Sequence, residues 1–138
     1  MGLDCSRDAF SGGYMSFNLF RRAVAKAMGG SFPPHDKGLV DDDGQPLKPD
    51  QWYRDSAYGP LSHPGLNEFM SHSDCDGEIA THMCAKLATE MEALLPQLDA
   101  MGAGAGHVLR DGGYGAVARR FIAGCRAAVE AMEPLLFH

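Results

Sequence analysis

No two of the four cysteines are close enough to act as a motif: Cys5, Cys75, Cys84 and Cys125 follow one another at intervals of 70, 9 and 41. That spacing excludes zinc-ribbon and thioredoxin-type pairs and offers no disulfide framework. The chain also lacks GxSxG, HExxH and the phosphate-cradling GxxxxGK[ST], which removes the serine-hydrolase elbow, the zincin helix and the P-loop. No apolar run approaches the roughly 18 residues of a membrane span. The opening MGLDCSRDAF lacks the basic, then apolar, then small-residue order of a secretory leader. A cytoplasmic protein with no membrane partner is expected. Basic residues are scarce, 12 against 18 acidic for a net charge of −6, so the field repels a phosphate backbone and no nucleic-acid partner is expected.

What the chain does have is apolar surface. With 45% hydrophobic residues in 138, it can bury one core, and residues 1–138 are expected to form a single globular domain. Phe17, Phe20, Val24, Ala27 and Met28 recur at helical spacing, so a helix is predicted over Ser16 to Met28, capped by Ser16 and ended by Gly29–Gly30. Arg21, Arg22 and Lys26 are placed off that stripe, in solvent or against another element. Ile79, Met83, Leu87, Met91, Leu94, Leu95 and Leu98 make a second stripe, predicting a helix from about Ala80 towards Leu95 that Pro96 kinks or restarts. A third helix is predicted from about Gly115 to Met132, with Val117, Phe121, Ile122, Cys125, Val129 and Met132 inward and Arg119, Arg120 and Arg126 outward or against the acidic helix. Pro134 stops it. Leu135-Leu136-Phe137 then suits a short strand beside the segment near Leu3. Cys84 and Cys125 fall on apolar stripes and are expected to be small buried hydrophobes.

Between the first two helices, Ser31 to Pro64 carries six prolines and reads as a long Pro/Gly-rich loop, with Leu39–Val40 as one arm of a hairpin. A short helical turn from Gly65 to Met70 follows it. Trp52, Tyr53 and Tyr58 are expected to pin the loop to the core, while Trp52 and Arg54, with His63, form an alternative ligand-binding surface. The alternation Gly102-Ala103-Gly104-Ala105-Gly106 follows a helix, whereas a dinucleotide fingerprint needs a strand before it, so it is expected to be a linker. The fold class is mainly α: three principal helices around one core, the long loop, and a small terminal β pairing.

Charge is uneven. Residues 68–99 hold seven acids against Lys86 alone, a distribution that suits internal helix pairing, a cation or a basic protein partner. Within that stretch, Ser71-His72-Ser73-Asp74-Cys75-Asp76-Gly77-Glu78-Ile79-Ala80-Thr81-His82 gathers imidazoles and carboxylates at a turn entering a helix. These are ligands of borderline divalent ions, so His72, Asp74, Asp76 and His82 are the candidate metal ligands, with His63 approaching from the loop. Asp74, Asp76, Gly77 and Ile79 match the middle of a calcium-binding EF-hand loop, but His72 and Met83 fall where its first Asp and closing Glu belong. The alternative needs no ion: Ser73, Asp74 or Asp76 caps the following helix, and Gly77 supplies a turn. Cys75, flanked by Asp74 and Asp76, is a poor nucleophile because adjacent negative charge opposes the thiolate. The sequence names no catalytic residue.

This cluster, with the opening MGLD, Ser11-Gly12-Gly13-Tyr14, Ser16-Phe17-Asn18, Phe121 and the terminal Pro134-Leu135-Leu136-Phe137, resembles small proteins of bacteria and their phages that share a Ser-His-Ser-Asp-Cys-Asp-Gly core. The resemblance implies a shared feature at residues 71–79 and a phage or prophage accessory role, and it brings no catalytic residues. The functional expectation is a small accessory protein that binds a protein or small-ligand partner, in phage and host conflict, without a cofactor. The alternative is a divalent-metal-binding domain or metal-dependent hydrolase built on the His72-Asp74-Asp76 cluster.

Overall fold

The computed structural model describes residues 2–29, 63–72 and 76–138. In chain order these form β1 (Gly2–Asp4), a 3-10 turn (Ser6–Asp8), β2 (Ser11–Gly13), α1 (Tyr14–Ala27), α2 (Pro64–Ser71), β3 (Glu78–Ile79), α3 (Thr81–Glu92), α4 (Leu95–Ala100), α5 (Gly106–Arg110), α6 (Tyr114–Ala131) and β4 (Leu135–Leu136). The fold is mainly helical around one core, as the periodicity predicts, and α1, α3 and α6 are its principal helices. Among the described residues, no helix is long and apolar enough to cross a membrane.

Aromatic rings hold the helices together. Phe17 and Phe20 of α1 meet Phe69 of α2 at centroid distances of 5.6 and 5.7 Å, and Phe69 meets Phe121 of α6 at 4.9 Å. All four rings are fully buried, in the tilted and edge-on geometries that quadrupoles favour. Their spacing in α1, three residues apart, puts both rings on one face. Beside them α3 packs along α6, burying Cys84, Leu87, Ala88 and Met91 against a face that carries Phe121, Cys125 and Ala128. Cys5, Cys84 and Cys125 are free and buried, the last two as expected. Burial pushes the Cys5 thiol up to about 12, partly offset by Arg21.

The α2–α3 contact is closer than side chains would permit. A methyl group on Gly65 would lie 2.5 Å from the Leu87 backbone nitrogen, so the absence of a side chain sets how near the two helices come. The Glu90 carboxylate then accepts hydrogen bonds from the Gly65 and Leu66 backbone amides, both at 3.1 Å. With Pro64 opening the helix, the free amides of its first turn are answered from α3. Downstream, α3 stops at Glu92 and α4 restarts at Leu95 with Pro96 in its first turn, the restart predicted from proline.

Several expectations change. Helix α1 begins at Tyr14 with Gly13 at the cap position, and Ser16 lies inside it, 5% exposed. Arg21 belongs to the core: it is 4% exposed, its guanidinium sits 4.4 Å from the centroid of Phe17, and it donates to the His72 carbonyl at 2.6 Å. It stands one helical turn after Phe17, which puts it on the apolar stripe, where the ring face offsets its desolvation. Ile79 is in β3, pairing with Leu135 of β4, and does not belong to the α3 stripe. The carboxyl-terminal tail therefore pairs mainly with β3. It touches the amino-terminal segment through a Cys5–Phe137 bridge and mutual Asp4–His138 backbone bonds of 2.7 and 2.9 Å, while β1 itself pairs with β2. Met132 is 85% exposed, in the left-handed conformation that ends α6. The expected linker at 102–106 leads into a short helix, α5, that the periodicity did not announce. The loop over 31–62, its hairpin and its aromatic anchors, together with Ser73, Asp74 and Cys75, lie outside the described residues.

Candidate functional site

The polar corner at His72 is built from the end of α2, β3 and the carboxyl-terminal tail. His72 follows α2 in extended conformation. Its ring packs on Phe137 at a centroid distance of 4.2 Å, and its Nε2 lies 3.0 Å from the Glu78 carbonyl. Gly77, at φ +96°, turns the chain so that its carbonyl accepts from the Phe137 amide at 2.9 Å. A side chain on Gly77 would be strained there and would press on the His72 ring at 3.3 Å. The imidazole thus braces the β3–β4 pairing from one side while Arg21 holds its carbonyl from the other.

Asp76 is exposed ahead of β3, and His82 is exposed in the first turn of α3. The cap position of α3 is held by Ala80; of the residues expected to cap it, Asp76 stands four positions earlier and Ser73 and Asp74 lie outside the described residues. Among the described residues, no three His, Cys, Asp or Glu side chains come together as a metal-holding group; Asp74 lies outside that set. His63 occupies the cap position of α2, its carbonyl accepting from the Asn67 amide at 3.0 Å. Trp52 and Arg54, its proposed companions, are likewise outside the described residues.

A second histidine escaped the sequence argument. His107, at the start of α5, accepts the Gly13 amide at Nδ1 at 2.9 Å, and its own amide donates to Ser16 Oγ at 3.1 Å. Ser16 Oγ is 3.4 Å from Nδ1, which has a serine–histidine look. The lone pair of Nδ1 is already directed at the Gly13 amide, so no base is left to take the hydroxyl proton. The pair is a clamp between the β2–α1 junction and α5. A glycine run ending in a histidine was its only trace in the sequence.

The other concentration of charge lies on the outer face of α6. Arg119 grips Asp99 of α4 with two parallel bonds, 2.7 and 2.8 Å, and this holds the Asp99 carboxyl below its ordinary value of 3.8. Arg126 pairs with Glu92 at the end of α3. These two arginines therefore turn against the acidic segment, one of the two placements predicted, and with Glu90 they account for three of the seven acids of residues 68–99. Arg120 instead holds the 3-10 turn, bonding the Asp8 carbonyl at 2.7 Å and its carboxylate at 2.6 Å. Between the salt bridges runs an open groove of about 460 Å³ lined by Glu92, Leu95, Arg119, Ile122, Ala123, Arg126, Ala127 and Glu130. Ala123 is exposed, and Glu130 makes no ion pair among the described residues.

Comparison with known proteins adds no relative: no family model, curated protein or solved structure matches the chain.

Proposed function

We propose that this is a cytoplasmic accessory protein that acts by binding a protein partner, and that the outer face of α6 is its contact surface. The observation that supports it is the groove along α6. An apolar floor of Leu95, Ile122, Ala123 and Ala127 is rimmed by arginines and glutamates, the apolar centre and polar border of a protein contact. Small side chains at Ala123 and Ala127 leave room for another element to approach closely. The His72 corner supports the same conclusion from the other direction, because its ring contacts serve the β3–β4 pairing.

Site-specific photo-crosslinking tests this. A benzophenone side chain placed at Ala123 should give a discrete adduct in an extract, whereas one placed at Lys26, exposed at the end of α1, should not. Equal, diffuse labelling from both positions would overturn it. So would turnover of a nucleotide, ester or peptide that disappears with Asp76→Ala in a folded variant. The metal-dependent alternative has its own test: protein purified without a histidine tag should carry stoichiometric metal, or gain thermal stability with zinc, manganese or calcium, if the cluster of His72, Asp74, Asp76 and His82 holds an ion.

A further inference from the structure

The α6 residues that line the groove are 119, 122, 123, 126, 127 and 130, a stripe three helical turns long in which position 119 mirrors 130, 122 mirrors 127, and 123 mirrors 126. The charges at its ends are opposite: Arg119 at one, Glu130 at the other. The groove as a whole carries two arginines and two glutamates on a chain whose net charge is −6. A strongly basic or strongly acidic partner would find no excess of opposite charge here. Two copies of a −6 chain repel one another over most of their surfaces, and a face that is locally neutral and whose charges reverse under a two-fold axis removes that repulsion.

Resting on the reading of this face as a contact surface, we infer that its occupant is a second copy of the same chain, with two α6 helices crossing antiparallel about a two-fold axis between positions 124 and 125. In that arrangement Arg119 of each copy faces Glu130 of the other, Ala127 lies over the buried Ile122, and Ala123 lies beside Arg126. Glu130, which makes no ion pair among the described residues of its own chain, gains a partner. Arg119 keeps its bidentate hold on Asp99 and offers its outer edge. The two Arg126 side chains, nearest the axis, come together already neutralised by their own Glu92. The exposed Ala123 and the half-buried Ala127 are small enough to let the helices approach closely.

Sedimentation equilibrium on the full chain over a concentration series tests the inference. The wild type should form a reversible dimer that weakens as salt rises. Glu130→Arg, which sets Arg119 of one copy against an arginine of the other, should raise the dimer dissociation constant at least about tenfold with an unchanged circular dichroism spectrum and thermal midpoint. Ala127→Arg, filling the centre of the stripe, should do the same and serves as the second variant. A wild type that stays monomeric at every concentration, or a dimer that both variants leave intact, overturns the inference. A monomer that still gives a discrete adduct from Ala123 to a different protein overturns self-association alone and leaves the contact surface standing. Absence of any adduct removes both.

Discussion

The corner at His72 and the outer face of α6 are both rich in ionisable side chains, yet the neighbours of those side chains differ in kind. At the corner, two side chains reach backbone: Arg21 bonds the His72 carbonyl, and the His72 ring lies 3.0 Å from the Glu78 carbonyl. On α6, side chain meets side chain across helices, Arg119 with Asp99 and Arg126 with Glu92, and the space between the pairs stays open. Bonds to backbone fix a path of the chain. Salt bridges between exposed side chains contribute little to stability, but they arrange charge on a surface. Density of charged residues in a sequence therefore says less about function than what each charge faces.

Breaking the closed region should have the largest effect. Phe69→Ala removes the ring that joins Phe17, Phe20 and Phe121 and should cost about 3–5 kcal/mol in urea unfolding. Glu90→Ala withdraws the carboxylate from two amides of α2 and should cost about 2–3 kcal/mol. Gly77→Ala forces a side chain into a left-handed position against the His72 ring and should cost about 1–3 kcal/mol, with faster hydrogen exchange at the Phe137 amide. On the open face, Ala123→Ser should change stability by less than about 0.5 kcal/mol.

Acid and alkali separate the regions again. The Cys5 thiol lies above its ordinary value when folded, so its contribution is complete below about pH 9 and is lost as pH rises towards 12. Cys5→Ala should flatten that alkaline limb. The Asp99 carboxyl lies below its ordinary value, so the stability linked to it is present above that value and is lost as pH falls through the lower folded one. Asp99→Asn should blunt that loss at acid pH, the smallest of these effects because the pair is exposed to solvent.

The main helices were legible because Phe17, Phe20, Val24 and the stripe through Leu87 and Met91 repeat with helical period. The β3–β4 pairing was half legible: the apolar tail announced a strand, but Ile79 continues the α3 stripe in phase and hides a change of conformation at Glu78–Ile79. Arg21 pairs with another element, one of the two placements expected, but it does so from the apolar stripe, because its position outweighs its charge. Nothing local marks Glu90 as the cap of α2 or His107 as the clamp of α1, since each acts on residues 24 or more positions away. The groove was invisible for the same reason, because it needs α3, α4 and α6 side by side.

The most direct test combines the two regions in one molecule: Asp76→Asn with His82→Gln, carrying the benzophenone at Ala123. The double variant should fold, and its adduct should form with the wild-type yield, since contact is made on α6. Loss of that adduct from a protein that still folds would place the function at the imidazole and carboxylate cluster and contradict the account.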